Sequence, residues 1–362
     1  MTSKGGLKIS VYRIVFIAIA LIIVVAALST FIFNQSLTSN VSISGLQNYG
    51  PAPNIRGISA WINSQPLNIS SLRGKVVLVD FWTYSCINCI RSIPHLNAWY
   101  SAYGNNGLVI IGVHTPEFQF EHNYSNVYAA VQEFGIKYPV ALDNNYSTWD
   151  AYGNEYWPAD YIIDKNGDIR YESFGEGNYN QTESVIRALL INAGYPIQSN
   201  FTDVPLGVNF SGIRSPEIYL GYAKAREPIG NPQGFVPNQT VDYPQQNITQ
   251  VNTVYFSGKW YNAPDGMVAV NDSKIFLIYS AEKVNVVAGL YGTNKSVISI
   301  MLDGKNLAQA YLGSDARLNG NVATVNVTGS RLYNLVSAPA YGAHEIEISA
   351  SPGFKIYTFT FG

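Results

Sequence analysis

The chain has little cysteine, little histidine and little charge, and each shortage closes off a class of function. Its 362 residues hold two cysteines, Cys86 and Cys89, too few for a disulfide-built scaffold. Their Cys-x-x-Cys spacing also makes a poor staple. Closing a four-residue loop gains only about 2 kcal/mol, against about 4.7 kcal/mol for a loop of roughly 100 residues. Structural zinc wants four ligands, yet there is no second cysteine pair, and His95, His114, His122 and His344 fall at no ligand spacing. Half a zinc site and an incidental turn disulfide are thus the weaker readings of the pair, and a redox dithiol is the stronger. Charged residues make up 13% and the net charge is −2, so no basic field exists to attract nucleic acid. No internal repeat is evident, which sets aside solenoid architectures.

Around the cysteines the pattern is specific. Residues 76–81 (VVLVDF) are an apolar, β-branched run suited to a buried parallel strand, and residues 87–103 carry a helical apolar pattern. Cys86 then falls at a helix N-terminus, where the macrodipole and free N–H groups favour thiolate over thiol. As the more exposed of the two, Cys86 is the expected attacking thiol and Cys89, one turn in, the resolving one. Asp80 is a carboxylate inside an apolar strand, so burial should raise its pKa and suit it to take the Cys89 proton; the alternative is an aspartate that reaches water at the strand end. Residues 159–164 and 168–173 read as a hairpin around Lys165-Asn166-Gly167-Asp168, with Trp157-Pro158 just before it. Residues 108–113 (LVIIGV) read as the next parallel strand. Glu117, just past its carboxyl end, lies on the edge where ligand sites collect in open α/β sheets, unless it simply starts the helix suggested over 121–134.

These residues resemble the thioredoxin superfamily. Asp80 stands six residues before Cys86 where thioredoxins keep a buried carboxylate, Phe81 and Trp82 match the aromatic pair beside it, and Pro94, five after Cys89, matches the helix-kinking proline. The resemblance implies that Pro158 is cis and faces the cysteines, so that the backbone at Trp157 can pair with substrate. WTYSCINCIRSIPHL, GVHTPEF, YPVALDN, YWPADYIID and FGEGNY occur in the order found in the TlpA/ResA branch, and within it the chain is similar to the extracytoplasmic portion of DipZ-type proteins from about residue 54 to 362. Two departures stand out. Ser92 occupies the place of the active-site glutamate of many TlpA/ResA members, which leaves Glu117 as the candidate substitute acid. DipZ-type proteins also carry a multi-helix electron-importing membrane domain ahead of this portion, and no counterpart is seen here. The resemblance implies no cofactor beyond the Cys86–Cys89 pair, exported cysteine-containing proteins as substrates, and a CcdA-like membrane electron donor as partner.

Residues 14–33 form an uncharged apolar stretch preceded by Lys4, Lys8 and Arg13. At about 1.5 Å per residue it can cross a hydrocarbon core of roughly 30 Å, and the positive-inside rule then leaves the N-terminus cytoplasmic and the bulk outside. A cleaved signal peptide ending near Ala27-Leu28-Ser29 is the other reading. Thirteen Asn-x-Ser/Thr acceptors, from Asn34 to Asn326, fit an exported glycoprotein. The expected organisation is a cytoplasmic tip and anchor over 1–33, a stalk over 34–53, a thioredoxin-like α/β domain with a central mixed sheet flanked by helices over 54–196, a linker over 197–250, and an all-β sandwich over 251–362. The last follows from short β-rich runs at 274–279, 284–290, 296–301, 321–327, 345–349 and 355–361 with turn signals between them; the resemblance makes it a jelly roll similar to carbohydrate-binding modules. Trp260 and Tyr261 could there stack on a glycan, or fill core. Every proposed catalytic group precedes residue 196, so the sandwich is expected to be dispensable for chemistry.

The leading reading is a membrane-anchored, outward-facing thiol–disulfide oxidoreductase acting as a reductant, with oxidant and isomerase left open by the residues alone. A thiol peroxidase competes because Thr83 lies three residues before Cys86, although Val79 stands where that family has proline. A non-enzymatic surface binding protein with a vestigial thioredoxin unit is the third.

Overall fold

The computed structural model describes residues 43–197, 199–205 and 214–362. The apolar stretch at 14–33 and the acceptors Asn34, Asn40 and Asn209 lie outside them. Among the described residues, no helix is long and apolar enough to cross a membrane.

The first unit is a seven-stranded mixed sheet. Its strands are β1 (Gly50–Pro51), β2 (Ala60–Ile62), β3 (Val76–Trp82), β4 (Leu108–His114), β5 (Val140–Leu142), β6 (Ala159–Ile163) and β7 (Asp168–Phe174), in the order β1-β7-β6-β3-β4-β5-β2. β3, β4 and β5 run parallel, while β6 is antiparallel to β3. β3 is buried along its whole length, as its β-branched run requires. Side chains alternate between the faces of a strand. Leu78 and Trp82 therefore join one core with helices α1 (Ile87–Tyr103) and α4 (Tyr179–Asn192), and Val77, Val79 and Phe81 join a second core with Trp149 of α3 (Ser147–Tyr152). Helix α2 (Tyr124–Glu133) adds Val127 and Val131 to the first core. Asp80 shares the parity of Leu78 and Trp82, so it faces α1. The left-handed Gly167 (φ +82) closes the turn between β6 and β7 expected from sequence.

The second unit is all-β. Strands β8 (Ile218–Tyr219), β9 (Thr240–Tyr243), β10 (Val254–Ala263), β11 (Gly266–Ala269), β12 (Ser273–Leu290), β13 (Ser296–Leu302), β14 (Lys305–Asn306), β15 (Arg317–Asn319), β16 (Val322–Val327), β17 (Arg331–Ala350) and β18 (Phe354–Phe361) join in one hydrogen-bonded network around a single core. The runs expected separately at 274–279 and 284–290 are one strand, because β12 absorbs irregularities between Ala281 and Lys283 and between Val284 and Asn285 without ending. β10, which sequence reading passed over, pairs with both β11 and β12.

Two expected linkers need correction. Gly50 and Pro51, assigned to the stalk, form β1 on the edge of the first sheet beside Ile169 and Asp168; glycine and proline read as punctuation, but an edge strand tolerates proline. The Pro- and Asn-rich stretch 197–250 contributes β8 and β9 to the second sheet, paired with β18 and β10. Trp260 is fully buried with its indole N–H on the Ser257 carbonyl, so it is core and not a glycan platform.

The two units meet at the edge that carries the cysteines. Phe118 and Phe120, in the loop after β4, pack on Tyr357 with ring centroids 5.1 and 4.9 Å away, and Tyr219 and Val287 complete the cluster. Tyr84, two residues before Cys86, donates its hydroxyl to the Ser330 carbonyl at 3.3 Å.

Candidate active site

Cys86 is the N-cap of α1. Its backbone is extended (φ −75°, ψ 115°) and its Sγ accepts the Cys89 N–H at 3.4 Å. Both cysteines are free thiols and both are buried, Cys86 at 8% exposure and Cys89 at 1%. The Trp157–Pro158 bond is cis, as the resemblance implied. The Trp157 carbonyl lies 4.0 Å from Cys86 Sγ, and the indole is held by its N–H on the Thr115 carbonyl at 3.1 Å and by packing on Trp149. Four of the residues singled out in the sequence, Cys86, Cys89, Trp157 and Pro158, thus converge from α1 and the loop ahead of β6.

Behind Cys89 is a buried polar group assembled by strand pairing. Asp80 is directly opposite Asp160 in the β3–β6 ladder, which puts the two Cβ atoms about 5 Å apart. On its other side Asp80 pairs with Gly112 of β4, where a Cβ would sit 3.0 Å from Trp82 Nε1 and 3.1 Å from the Tyr138 ring. Asp80 Oδ2, Asp160 Oδ1, Tyr138 OH and Trp82 Nε1 are all buried without hydrogen-bond partners. Burial, then the Asp160 charge, push the Asp80 carboxyl well above its ordinary range, and burial raises Asp160 as well. Burial together with Cys86 and Asp80 raises the Cys89 thiol. Two carboxyls so placed cannot both ionise cheaply, and the pair retains a proton at neutral pH.

Sequence reasoning named Asp80 but missed Asp160 and Tyr138. Asp160 stands in the ADYIID run, and only the register of β6 against β3 reveals its partner. Trp82 is enclosed at 0% exposure behind the cysteines and not at their mouth.

Glu117 belongs to the contact between the units. It precedes a short helical turn, Gln119–His122, and does not start α2. The Tyr219 hydroxyl donates to its Oε1 at 2.5 Å, and Lys224 Nζ donates to its carbonyl at 3.2 Å. Burial, then the charges of Glu217 and Glu121, raise its pKa to about 8 against the opposing Tyr219 bond. Glu121, also missed in the sequence, accepts Ser85 Oγ at 2.5 Å and the backbone N–H of Glu117 and Phe118. It thereby ties the residue before Cys86 to the loop after β4. Ser92, in place of the family glutamate, only bonds the Asn88 carbonyl and the Tyr179 hydroxyl. Thr83 is engaged with His114 Nε2 at 3.3 Å; burial lowers the His114 pKa to about 3, so its imidazole is neutral. Among the described residues, no three His, Cys, Asp or Glu gather as metal ligands.

A Cys-x-x-Cys at the head of a helix that follows the central strand, faced by a cis-proline loop, is a thioredoxin-like arrangement, and the first unit has the thioredoxin-like α/β fold. Residues 51–172 match the AhpC/TSA family and residues 215–362 the thioredoxin-like C-terminal domain. Across both units the chain is similar to protein DipZ of Mycobacterium bovis, 38% identical over 325 residues that make up 88% of this chain and 44% of DipZ; the chain thus spans less than half of that relative. The thiol-disulfide oxidoreductase YkuV of Bacillus subtilis is 28% identical over 39% of this chain and 94% of its own length. A solved thioredoxin-like superfamily protein is 28% identical over 39% of this chain and 96% of its own, with a TM-score of 0.37.

Proposed function

We propose that the protein is a thiol–disulfide oxidoreductase that reduces disulfides of exported proteins. The observation that carries the reading is the juxtaposition of Cys86, capping α1, with the Trp157 carbonyl on one side and the Cys89–Asp80–Asp160 group on the other. The Cys86 thiolate attacks one sulfur of a substrate disulfide, forming a mixed disulfide and releasing one substrate thiolate. Cys89 then attacks Cys86 Sγ, which releases the second thiolate and closes the Cys86–Cys89 disulfide. The Cys89 proton passes to the Asp80–Asp160 pair, which holds one proton already and has room for a second. Two electrons leave the protein in each cycle, so a donor must return them; a CcdA-like membrane thiol transporter is the partner proposed. A peroxidase is the weaker alternative, since Thr83 is committed to His114.

The apolar stretch at 14–33 supports anchoring to the cell membrane with the bulk outside. All ten glycosylation acceptors within the described residues are solvent-exposed, which supports an extracytoplasmic glycoprotein. The long β12–β17 ladder, which continues past its irregularities, supports the jelly-roll-like sandwich reading of the second unit, for which glycan contact remains part of the proposal through Tyr261.

The test is trapping. Cys89→Ser should accumulate mixed disulfides with disulfide-bearing proteins, and Cys86→Ser should not; equal trapping by both variants, or by neither, would sink the assignment. Turnover with hydrogen peroxide faster than with a protein disulfide would favour the peroxidase.

A further inference from the structure

Next to the cysteines lies a polar cleft of about 370 Å³ with walls from both units. One wall is Ile87 and Asn88, the dipeptide between the cysteines, with Glu176 of the loop between β7 and α4; the other includes Arg214, Glu217 and Thr360. Anything seated there lies against the dipeptide that separates the two cysteines. The charged groups are fixed. Glu176 receives both prongs of Arg91 at 2.6 Å and has Arg214 4.0 Å away, while Glu217 Oε2 lies 3.1 Å from the Tyr219 hydroxyl oxygen. Thr360 is 2% exposed and its Oγ1 has no hydrogen-bond partner. A buried hydroxyl without a partner costs about 1–3 kcal/mol, and native proteins rarely leave one so without a reason.

We infer that this cleft binds a short, polar, extended peptide segment flanking the substrate cysteine, and that the C-terminal unit therefore sets substrate preference. The inference rests on the oxidoreductase reading. The volume lies in the range of small-ligand sites, too small for the surface of a folded domain. The walls offer hydrogen-bonding and charged groups with almost no apolar surface, which suits peptide N–H and C=O groups and short polar side chains and disfavours bulky apolar ones. The Thr360 hydroxyl is covered in the resting wall, and it gains a partner when a seated segment displaces the atoms over it. The attack on the disulfide is unchanged; the cleft only holds the arm of the substrate that carries it.

The experiment uses the full chain, reduced and freed of reductant, and measures the rate at which its dithiol is oxidised by three probes. These are a disulfide peptide with Ser and Asn flanking its cysteines, the same peptide with Leu and Phe there, and hydroxyethyl disulfide. The wild type should prefer the polar peptide. Thr360→Phe, which fills the cleft, should slow the polar peptide about tenfold, equivalent to about 1.4 kcal/mol, and leave hydroxyethyl disulfide unchanged. Thr360→Val, which preserves shape and removes the hydroxyl, should slow the polar peptide in the same selective way but by less, and it serves if the larger residue impairs folding. Equal slowing of all three probes, no slowing of any, or a wild-type preference for the apolar peptide overturns the cleft. A wild-type dithiol that none of the three oxidises overturns the oxidoreductase reading itself.

Discussion

The two units treat buried polarity differently. Among the described residues, the seven-stranded unit buries eleven residues with an unpartnered polar side-chain atom, and the eleven-stranded unit buries two, Tyr279 and Thr360. Both have dense cores, so the difference is not one of packing. In the first unit the unpartnered atoms include Asp80 Oδ2, Asp160 Oδ1 and Tyr138 OH, on the side of β3 that faces α1, whereas β3 meets aromatic rings on the opposite side, with Phe81 edge-on to Trp149, Tyr152 and Tyr161. Unsatisfied polar groups cost stability, and proteins keep them where chemistry uses them. The C-terminal unit spends its sequence on core and on covering the active-site edge. On the proposed function one unit holds the reaction, and the other covers its edge through Tyr219, Val287 and Tyr357.

That division can be broken most severely by removing the cover. A chain ending at residue 196 leaves Phe118 and Phe120 without Tyr357 and Tyr219, and uncovering large side chains costs about 1.5–3 kcal/mol each. We expect a clear fall in melting temperature and loss of most disulfide reduction, contrary to the expectation from sequence that the sandwich is dispensable. Full activity of the folded truncation would show the cover to be idle.

Next in size is the carboxyl pair. Asp80→Asn keeps the volume but cannot take a proton, and removal of a general base costs about 10²-fold or more; the loss should fall on resolution, seen as longer-lived mixed disulfide in stopped-flow quench. Asp160→Asn should cost less and move the pH profile. Without the opposing charge the Asp80 pKa falls, so the rise of activity with pH should begin at lower pH than in the wild type. An unmoved profile would mean that the two carboxyls are not coupled.

The smallest expected effect is at the contact itself. Glu117 holds its proton more tightly folded than unfolded, because its pKa is raised to about 8 from the ordinary 4.5. A raised carboxyl pKa makes stability greatest below the unfolded value and lost progressively as pH climbs to the folded one. Melting temperature should decline between pH about 4.5 and about 8, and Glu117→Gln should flatten that decline; an equal slope in the variant would refute the assignment.

What the sequence disclosed and what it hid follow a physical line. Cys86, Cys89, Asp80 and the Trp157–Pro158 pair are read from contiguous runs whose spacing is their meaning, and the observed helix Ile87–Tyr103 and strand Val76–Trp82 agree with those runs. Asp160, Tyr138 and Glu121 are ordinary residues until pairing brings them to Asp80 and Ser85, and nothing in their neighbours along the chain announces it. Residues 197–250 misled for the opposite reason. Their Pro and Asn content marks irregular backbone, but irregular backbone can still be pinned, as Tyr219 and Tyr243 are, by a short ladder and a buried ring.

Cys86 caps the helix that it serves. An ordinary cap, worth about 1 kcal/mol, is a permanent fixture, whereas this one is a sulfur whose electron density changes during each cycle of the proposed reaction. As a thiolate it is a strong acceptor for the Cys89 amide; once joined to a substrate sulfur it is a weak one. The first turn of α1 is therefore firmest before attack and loosest in the mixed disulfide, the stage at which Cys89 has to turn toward its neighbour. The helix end works as a latch that the reaction itself unfastens, and deuterium uptake at the Cys89 amide would record its position.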